Sequence, residues 1–127
     1  QEKSEIYQND TTMSLGKKLF ALGANLFLSQ PRKATPFEAK AQNHSLATYT
    51  HKLTRQDGFL EFSEFKNSLK IENLKLKISR MHRAFVGWPG VWTITPQGKR
   101  LKLIALKPKI LVQLEGKVSQ PWPIVIK

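Results

Sequence analysis

Two apolar rhythms run along this chain. Leu15, Leu19, Leu22 and Leu26 recur at spacings of four, three and four, which is one stripe of a helix. The spacing predicts a helix over 12–29, opened by the capping oxygens of Asp10-Thr11-Thr12 and stopped by Pro31. Gly16 and Gly23 lie inside it and lower its intrinsic stability, so this helix needs a packing partner. Lys17 and Lys18 point away from the stripe. A cleaner stripe, Ile71, Leu74, Ile78, Met81 and Phe85, repeats at three, four, three and four and predicts the second helix. Its opposite face carries Lys75, Lys77, Arg80 and Arg83.

The second rhythm is alternation. Leu46 to Leu53 alternates and predicts a strand, Gln56-Asp57-Gly58 is a turn signal, and Phe59 to Phe62 is a short extended piece with Ser63 as a cap for the segment after it. Trp88-Pro89-Gly90 ends the second helix, because Pro89 has no N–H to donate and holds the residue before it extended. These three residues are assigned to a hinge that fixes the helix-to-strand angle. Strands are expected over 91–95, 100–106 and 109–114, joined by Pro96-Gln97-Gly98 and Lys107-Pro108. In the second of them Leu101 and Leu103 alternate with Lys102 and Ile104, so one face is core and the other wet. Gln120-Pro121-Trp122-Pro123 closes the chain as an extended segment. Short sequential strands with one helix give a mixed, mainly β fold, a small Greek-key barrel preceded by a helical arm.

Residues 31–45 hold Pro31, Pro36, Arg32, Lys33 and Lys40 with few large apolar groups, the pattern of a linker. The expected organisation is an arm over 1–30, a linker over 31–45 and a domain over 46–127. At 127 residues and 40% apolar, one small domain with an appendage fits. The chain begins at Gln1 rather than Met, as expected of a fragment or a processed product, and its polar start lacks a secretory core. The absence of cysteine excludes disulfides and thiolate metal sites. No apolar run reaches the length of a membrane span.

Charge changes the picture most. Of the net +12, +10 falls after Asn73, where eleven basic residues face Glu115 alone. So one-sided a field attracts polyanions, nucleic acid before an anionic membrane surface. Lys75, Arg80, Arg83, Lys99, Arg100 and Lys102 are the candidate phosphate contacts, with Lys33 and Lys40 of the linker in a second tier. Trp88, Trp92 and Trp122 are of a type that stacks on bases, although core or hinge packing is the favoured reading of each. No catalytic or metal site is expected in this chain. His44, His51 and His82 are not spaced as ligands, the nine acidic residues are scattered singly, and no glycine-rich loop precedes a helix.

Several segments resemble, in order, methionyl-tRNA formyltransferases. Gln1 to Ile6, Ser14-Leu-Gly-Lys-Lys-Leu19 and Leu22-Gly-Ala-Asn-Leu26 resemble the end of that family's catalytic domain. Ala47 to Gly58, with Phe59-Leu-Glu-Phe62, resembles the opening of its C-terminal domain, and Arg83-Ala-Phe-Val-Gly-Trp-Pro-Gly90 its strongest signature. Gly98 to Leu103 and Val112 to Lys117 resemble its later strands. The match covers almost the whole chain. Two stretches depart from the pattern: Lys66–Lys77 is longer, and the segment between Leu106 and Ile110 is shorter, so a reduced or partly open barrel is expected.

The resemblance implies an OB-like tRNA-binding barrel preceded by a helix left over from a Rossmann-like catalytic domain. It further implies that the catalytic residues and the site for 10-formyltetrahydrofolate lie upstream of Gln1, so this chain alone is inactive and carries no cofactor. Its partners would be initiator tRNA, held by the backbone, and the catalytic domain packed on Leu15, Leu19, Leu22 and Leu26. A monomer in the bacterial cytoplasm is expected, with an organelle as the alternative. Two other readings compete: the C-terminal domain of a sugar-nucleotide formyltransferase, and a stand-alone RNA-binding barrel.

Overall fold

The structure, a computed structural model, describes residues 2–29, 41 and 43–123. Helix α1 spans Thr12–Ser29, the bounds its leucine stripe predicts. Thr11 and Ser14 cap it reciprocally: the Thr11 amide donates to Ser14 Oγ at 2.9 Å, and the Ser14 amide donates to Thr11 Oγ1 at 3.1 Å. These bonds satisfy donors that the first turn of a helix leaves without partners. No residue of α1 is buried. Leu15, Leu22 and Leu26 are half-buried, whereas Leu19 is exposed and Phe20 and Phe27 are 82% and 80% exposed.

The segment from Leu46 to Leu53 does not form the expected strand. A short 3-10 turn, His44–Leu46, is capped by the side chain of Asn43 and gives way to irregular chain. Leu46 and Tyr49 are 78% and 87% exposed. Alternation marks a strand only where a neighbouring strand completes the ladder and a core takes the apolar side, and among the described residues this segment has neither.

A second 3-10 turn, Arg55–Gly58, is locked by Asp57. Its Oδ2 accepts from the Thr54 amide at 2.6 Å and from the Thr54 hydroxyl at 2.9 Å, and its Oδ1 lies 3.1 Å from His51 Nε2. Phe59 and Trp92 then form a parallel bridge, with the Leu60 amide donating to the Trp92 carbonyl at 2.9 Å. The expected extended piece is thus real at Phe59 but ends early, because Phe62 already opens helix α2, Phe62–Ser68. Helix α3, Glu72–Ala84, comes after a tight corner. The sequence expectation of one helix omits α2, which supplies buried Phe65 and Ser68 and is followed by buried Leu69.

Helix α3 ends where Trp88-Pro89-Gly90 is expected to end it. Gly87 and Gly90 take positive φ values of 89° and 76°, a region that costs little for glycine alone. The Gly90 amide donates back to the Phe85 carbonyl at 3.0 Å. A Cβ on Gly58 would lie 1.9 Å from the Gly90 carbonyl oxygen, so the backbone of the 3-10 turn rests directly on the hinge.

Four strands complete the fold: β1 (Trp92–Ile94), β2 (Arg100–Ala105), β3 (Leu111–Leu114) and β4 (Ser119–Pro121). They pair antiparallel in chain order β1-β2-β3-β4, an open meander among the described residues. Short turns join each pair, so each strand lies beside its chain neighbour. The register sets Thr93 and Leu114 beside Leu101, and Val112 beside Leu103. With Leu60, Phe65, Leu69, Ile78 and Val91, the leucines and valine of this face form the core. Trp122 meets Phe65 edge-on, 6.1 Å between ring centres.

The start of α1 is fastened to the end of α3. Arg83 Nη1 donates to the Asp10 carbonyl at 3.0 Å, and the Thr12 hydroxyl donates to the Ala84 carbonyl. Asp10 itself takes the ammonium of Lys18 at 2.7 Å. That bond, with one from the Tyr7 amide, lowers its carboxyl to about 2.

Candidate nucleic-acid interface

Leu101 and Leu103 point into the core, so the pleat turns Arg100 and Lys102 to the opposite, solvent side of β2. The register then completes a row across that outer face. Trp92 of β1 pairs with Lys102, Lys102 with Gln113 of β3, and Gln113 with Ser119 of β4. Side chains directly opposite on one face of a sheet lie within contact range of each other. An aromatic, a cation, an amide and a hydroxyl therefore stand side by side.

Beside this row the hinge and the 3-10 turn close a cleft of about 350 Å³. Trp88, Pro89 and Gly87 form one wall, and Arg55, Trp92, Arg100, Lys102 and Gln113 form the rest. Trp92 is fixed in place: its Nε1 donates to the Arg55 carbonyl at 2.9 Å, and its ring lies 4.9 Å from that of Phe59. Lys102 runs along the hinge backbone, since a Cβ on Gly90 would meet its Cε at 2.6 Å. Trp88 is 52% exposed. Three cations and no carboxylate line this cleft. Glu115 lines the neighbouring hollow with Arg100 and Lys102, where its Oε2 accepts from the Arg100 amide at 3.2 Å.

The sequence-derived phosphate candidates separate into two sets. Lys99, Arg100 and Lys102 come together at the β1–β2 hairpin, where Thr95 and Lys99 close the turn by exchanging hydrogen bonds. Lys75, Arg80 and Arg83 lie on α3, which packs Ile78 against the core face of the sheet, so they stand on the other side of the sheet from Arg100 and Lys102. Two of these three already have partners. Lys75 Nζ binds Glu72 at 2.6 Å, and Arg83 holds the Asp10 carbonyl. Lys77 is paired with Glu64. Lys75 and Lys107 also flank a groove of about 390 Å³ lined by Leu69, Leu76, Leu106 and Ile110. Lys33 and Lys40 lie outside the described residues.

Arg55 and Gln113 belong to the cleft but not to the set read from the sequence. Gln113 was legible in principle, since it falls in phase with the wet side of β3. Arg55 had no such signal, because it sits in an irregular turn where no period assigns a face. The hinge residues Trp88, Pro89 and Gly90 join helix to strand as expected, and Trp88 and Pro89 also line the cleft. Among the described residues no cluster of histidines and carboxylates is arranged to hold a metal ion. His82, half-buried on α3, has its pKa lowered by desolvation. No helix among the described residues is long and apolar enough to cross a membrane.

No family model matches the chain, and no solved structure matches it. Curated relatives do. The chain is 36% identical over 98 residues to the methionyl-tRNA formyltransferase of Roseiflexus castenholzii, a match covering 76% of this chain and 28% of the relative. It is 39% identical over 95 residues to that of Kosmotoga olearia, covering 73% and 28%. With the Caldicellulosiruptor saccharolyticus protein of the same name it shares 30% identity over 116 residues, covering 91% and 34%. The chain thus spans about a third of the length of the curated relatives it matches. Three relatives of one name, each matched over most of this chain and in keeping with a C-terminal portion, make it a member of the methionyl-tRNA formyltransferase family.

Proposed function

We propose that this chain is the tRNA-binding and positioning part of a methionyl-tRNA formyltransferase. The observation that carries the reading is the outer face of the sheet, where Arg100 and Lys102 stand beside Trp92 and Gln113 with Arg55 across the cleft. Cations on a rigid sheet grip a phosphate backbone without reading sequence. Binding energy drawn from phosphates remote from the reaction then serves to orient the acceptor end at the reacting centre. Lys99 of the same hairpin adds to this grip, Arg80 acts from α3, and Lys33 and Lys40 meet the acceptor stem. Lys75 and Arg83 contribute only where RNA displaces their present partners.

In this reading the chain divides into the end of a catalytic domain over 1–30, a linker over 31–45 and an OB-like domain over 46–127. The open meander, with Phe59 bridged to its β1 edge, is the larger part of that OB-like barrel. Formyl transfer from 10-formyltetrahydrofolate to the methionyl amine belongs to the length of the relatives that this chain does not match. By itself the chain is a monomer without formyl-transfer activity, and the whole enzyme works in the bacterial cytoplasm.

The test is a salt titration of binding to labelled initiator tRNA, read by fluorescence anisotropy. The double variant Arg100→Ala/Lys102→Ala is expected to weaken binding and to flatten the slope of log affinity against log salt by about 1 for each phosphate no longer held. An unchanged slope removes these residues from the interface. No binding at low salt overturns the reading.

A further inference from the structure

A backbone grip leaves part of the cleft unexplained. Phosphate binding calls for cations, yet one wall is the indole of Trp88, half exposed at the helix-to-strand hinge. The hinge does not need this exposure, since its shape comes from Pro89 and from the positive φ of Gly87 and Gly90. The lining also includes Gln113, whose Nε2 donates to the Lys117 carbonyl at 3.1 Å, which leaves its second N–H and its carbonyl oxygen for a ligand. Trp92, by contrast, is anchored through its Nε1 to the Arg55 carbonyl and against Phe59, so it is a fixed floor.

From this juxtaposition we infer that the cleft is a seat for one unstacked nucleotide of a single-stranded or looped RNA segment. The base lies on the face of Trp88, its edge meets the Gln113 amide, and the flanking phosphates meet Arg55, Arg100 and Lys102. Size agrees: about 350 Å³ stands at the small end of the ~300–1,000 Å³ range of ligand clefts and takes one nucleotide, not a duplex. Charge agrees as well, because the lining is cationic without a carboxylate, as a flanking pair of phosphates requires. Base–aromatic stacking tolerates any base, since each has a π face, while an amide adds a preference among base edges. The inference rests on the tRNA-binding reading and deepens it: the protein holds its RNA by an extruded nucleotide as well as by backbone charge.

The experiment uses the whole 127-residue chain and three probes: a short oligouridylate carrying one 5-iodouridine, a blunt RNA duplex, and initiator tRNA. The oligouridylate is expected to bind about tenfold tighter than the duplex, and irradiation is expected to cross-link the iodouridine to Trp88, located by mass spectrometry. Trp88→Ala lowers oligouridylate affinity about tenfold, within the contribution of one base–aromatic stack, and Trp88→Phe restores most of it. The Phe variant and the cross-link in the unaltered protein keep the result independent of any folding defect in the Ala variant.

If the duplex binds as well as the single strand, if the cross-link falls elsewhere, or if Trp88→Ala binds like the parent, the seat does not exist. Should that happen while tRNA binding stays salt-dependent, the backbone grip stands and only the seat falls. If the unaltered chain binds no tRNA, the proposed function falls, and the cross-link to Trp88 still decides the seat.

Discussion

Helices α1 and α3 are built on the same spacing of three and four, yet they end in different physical situations. The shorter, α3, sends Ile78 into the core and packs Met81 and the following Phe85 against it. The longer, α1, has 18 residues and buries none of them. Its ties to the rest of the molecule gather at its first turn: Thr12 on the Ala84 carbonyl, and the neighbouring Asp10 carbonyl on Arg83. Periodicity therefore says that a face exists, while the partner decides whether the face is used. Among the described residues α3 has a partner in α2 and the sheet, whereas α1 is attached only at one end.

The strongest way to break this comparison is to empty each side in turn. Phe65→Ala in the core is expected to cost about 3–5 kcal/mol in a urea unfolding curve, whereas Leu22→Ala on α1 stays within about 0.5 kcal/mol. Similar losses from the two would make α1 part of the same cooperative unit. Next comes the contact between the 3-10 turn and the hinge. Gly58→Ala drives a methyl onto the Gly90 carbonyl and is expected to cost about 1–3 kcal/mol, as overpacking does. A neutral result would mean that the two backbones separate easily.

A smaller effect is expected at the tie itself. Arg83→Ala removes one hydrogen bond, worth about 1 kcal/mol, and is expected to speed amide hydrogen exchange in the first turn of α1 while α3 keeps its protection. Equal loss in both helices would show that Arg83 holds α3 and not α1.

The smallest effect is a pH dependence shared by both regions. Asp10 and Asp57 are each lowered from 3.8 to about 2, Asp10 first by Lys18 and Asp57 first by the Thr54 amide. A carboxyl lowered on folding stabilises the fold fully above its unfolded value, and that contribution is lost as pH falls through the folded value. Both sets of carboxylate hydrogen bonds are thus expected to hold above pH 4 and to loosen as pH falls towards 2. Amide shifts of Tyr7 and Thr54 followed through an acid titration would read the two sites separately. Midpoints near 3.8 would mean that neither carboxylate holds its hydrogen bonds in solution.

The sequence made the regular parts of this fold legible and the irregular ones not. The stripes gave α1 and α3 almost to the residue, because a helix is a local structure whose apolar period survives without knowledge of its partner. The strands were legible from Leu101 and Leu103 against Lys102, with turns marked by Gly98 and Pro108, but their order was not: a Greek-key barrel is expected, and the described residues form an open meander. The alternation from Leu46 to Leu53 misleads, since a ladder depends on a neighbour that local sequence does not name. Helix α2 escapes because its seven residues are too few for a period to repeat. In the candidate site, Arg100 and Lys102 were readable from the phase of β2, and Lys99 only from its place in the basic cluster at the turn before it. Arg55 arrives through an irregular turn, and only the fold brings it beside Trp92.

The meander also carries a consequence in time. Each of its strands pairs with its chain neighbour across a short turn, the arrangement whose loops close at least entropic cost and whose folding is fastest. The tie between Thr12 and Ala84 spans 72 residues. During synthesis at ~5–20 residues per second, α1 leaves the ribosome roughly 4–14 s before the helix end it fastens to. For that interval the tie at the start of α1 stays open, and the helix waits for the carbonyl of Ala84 to fasten it to the sheet domain.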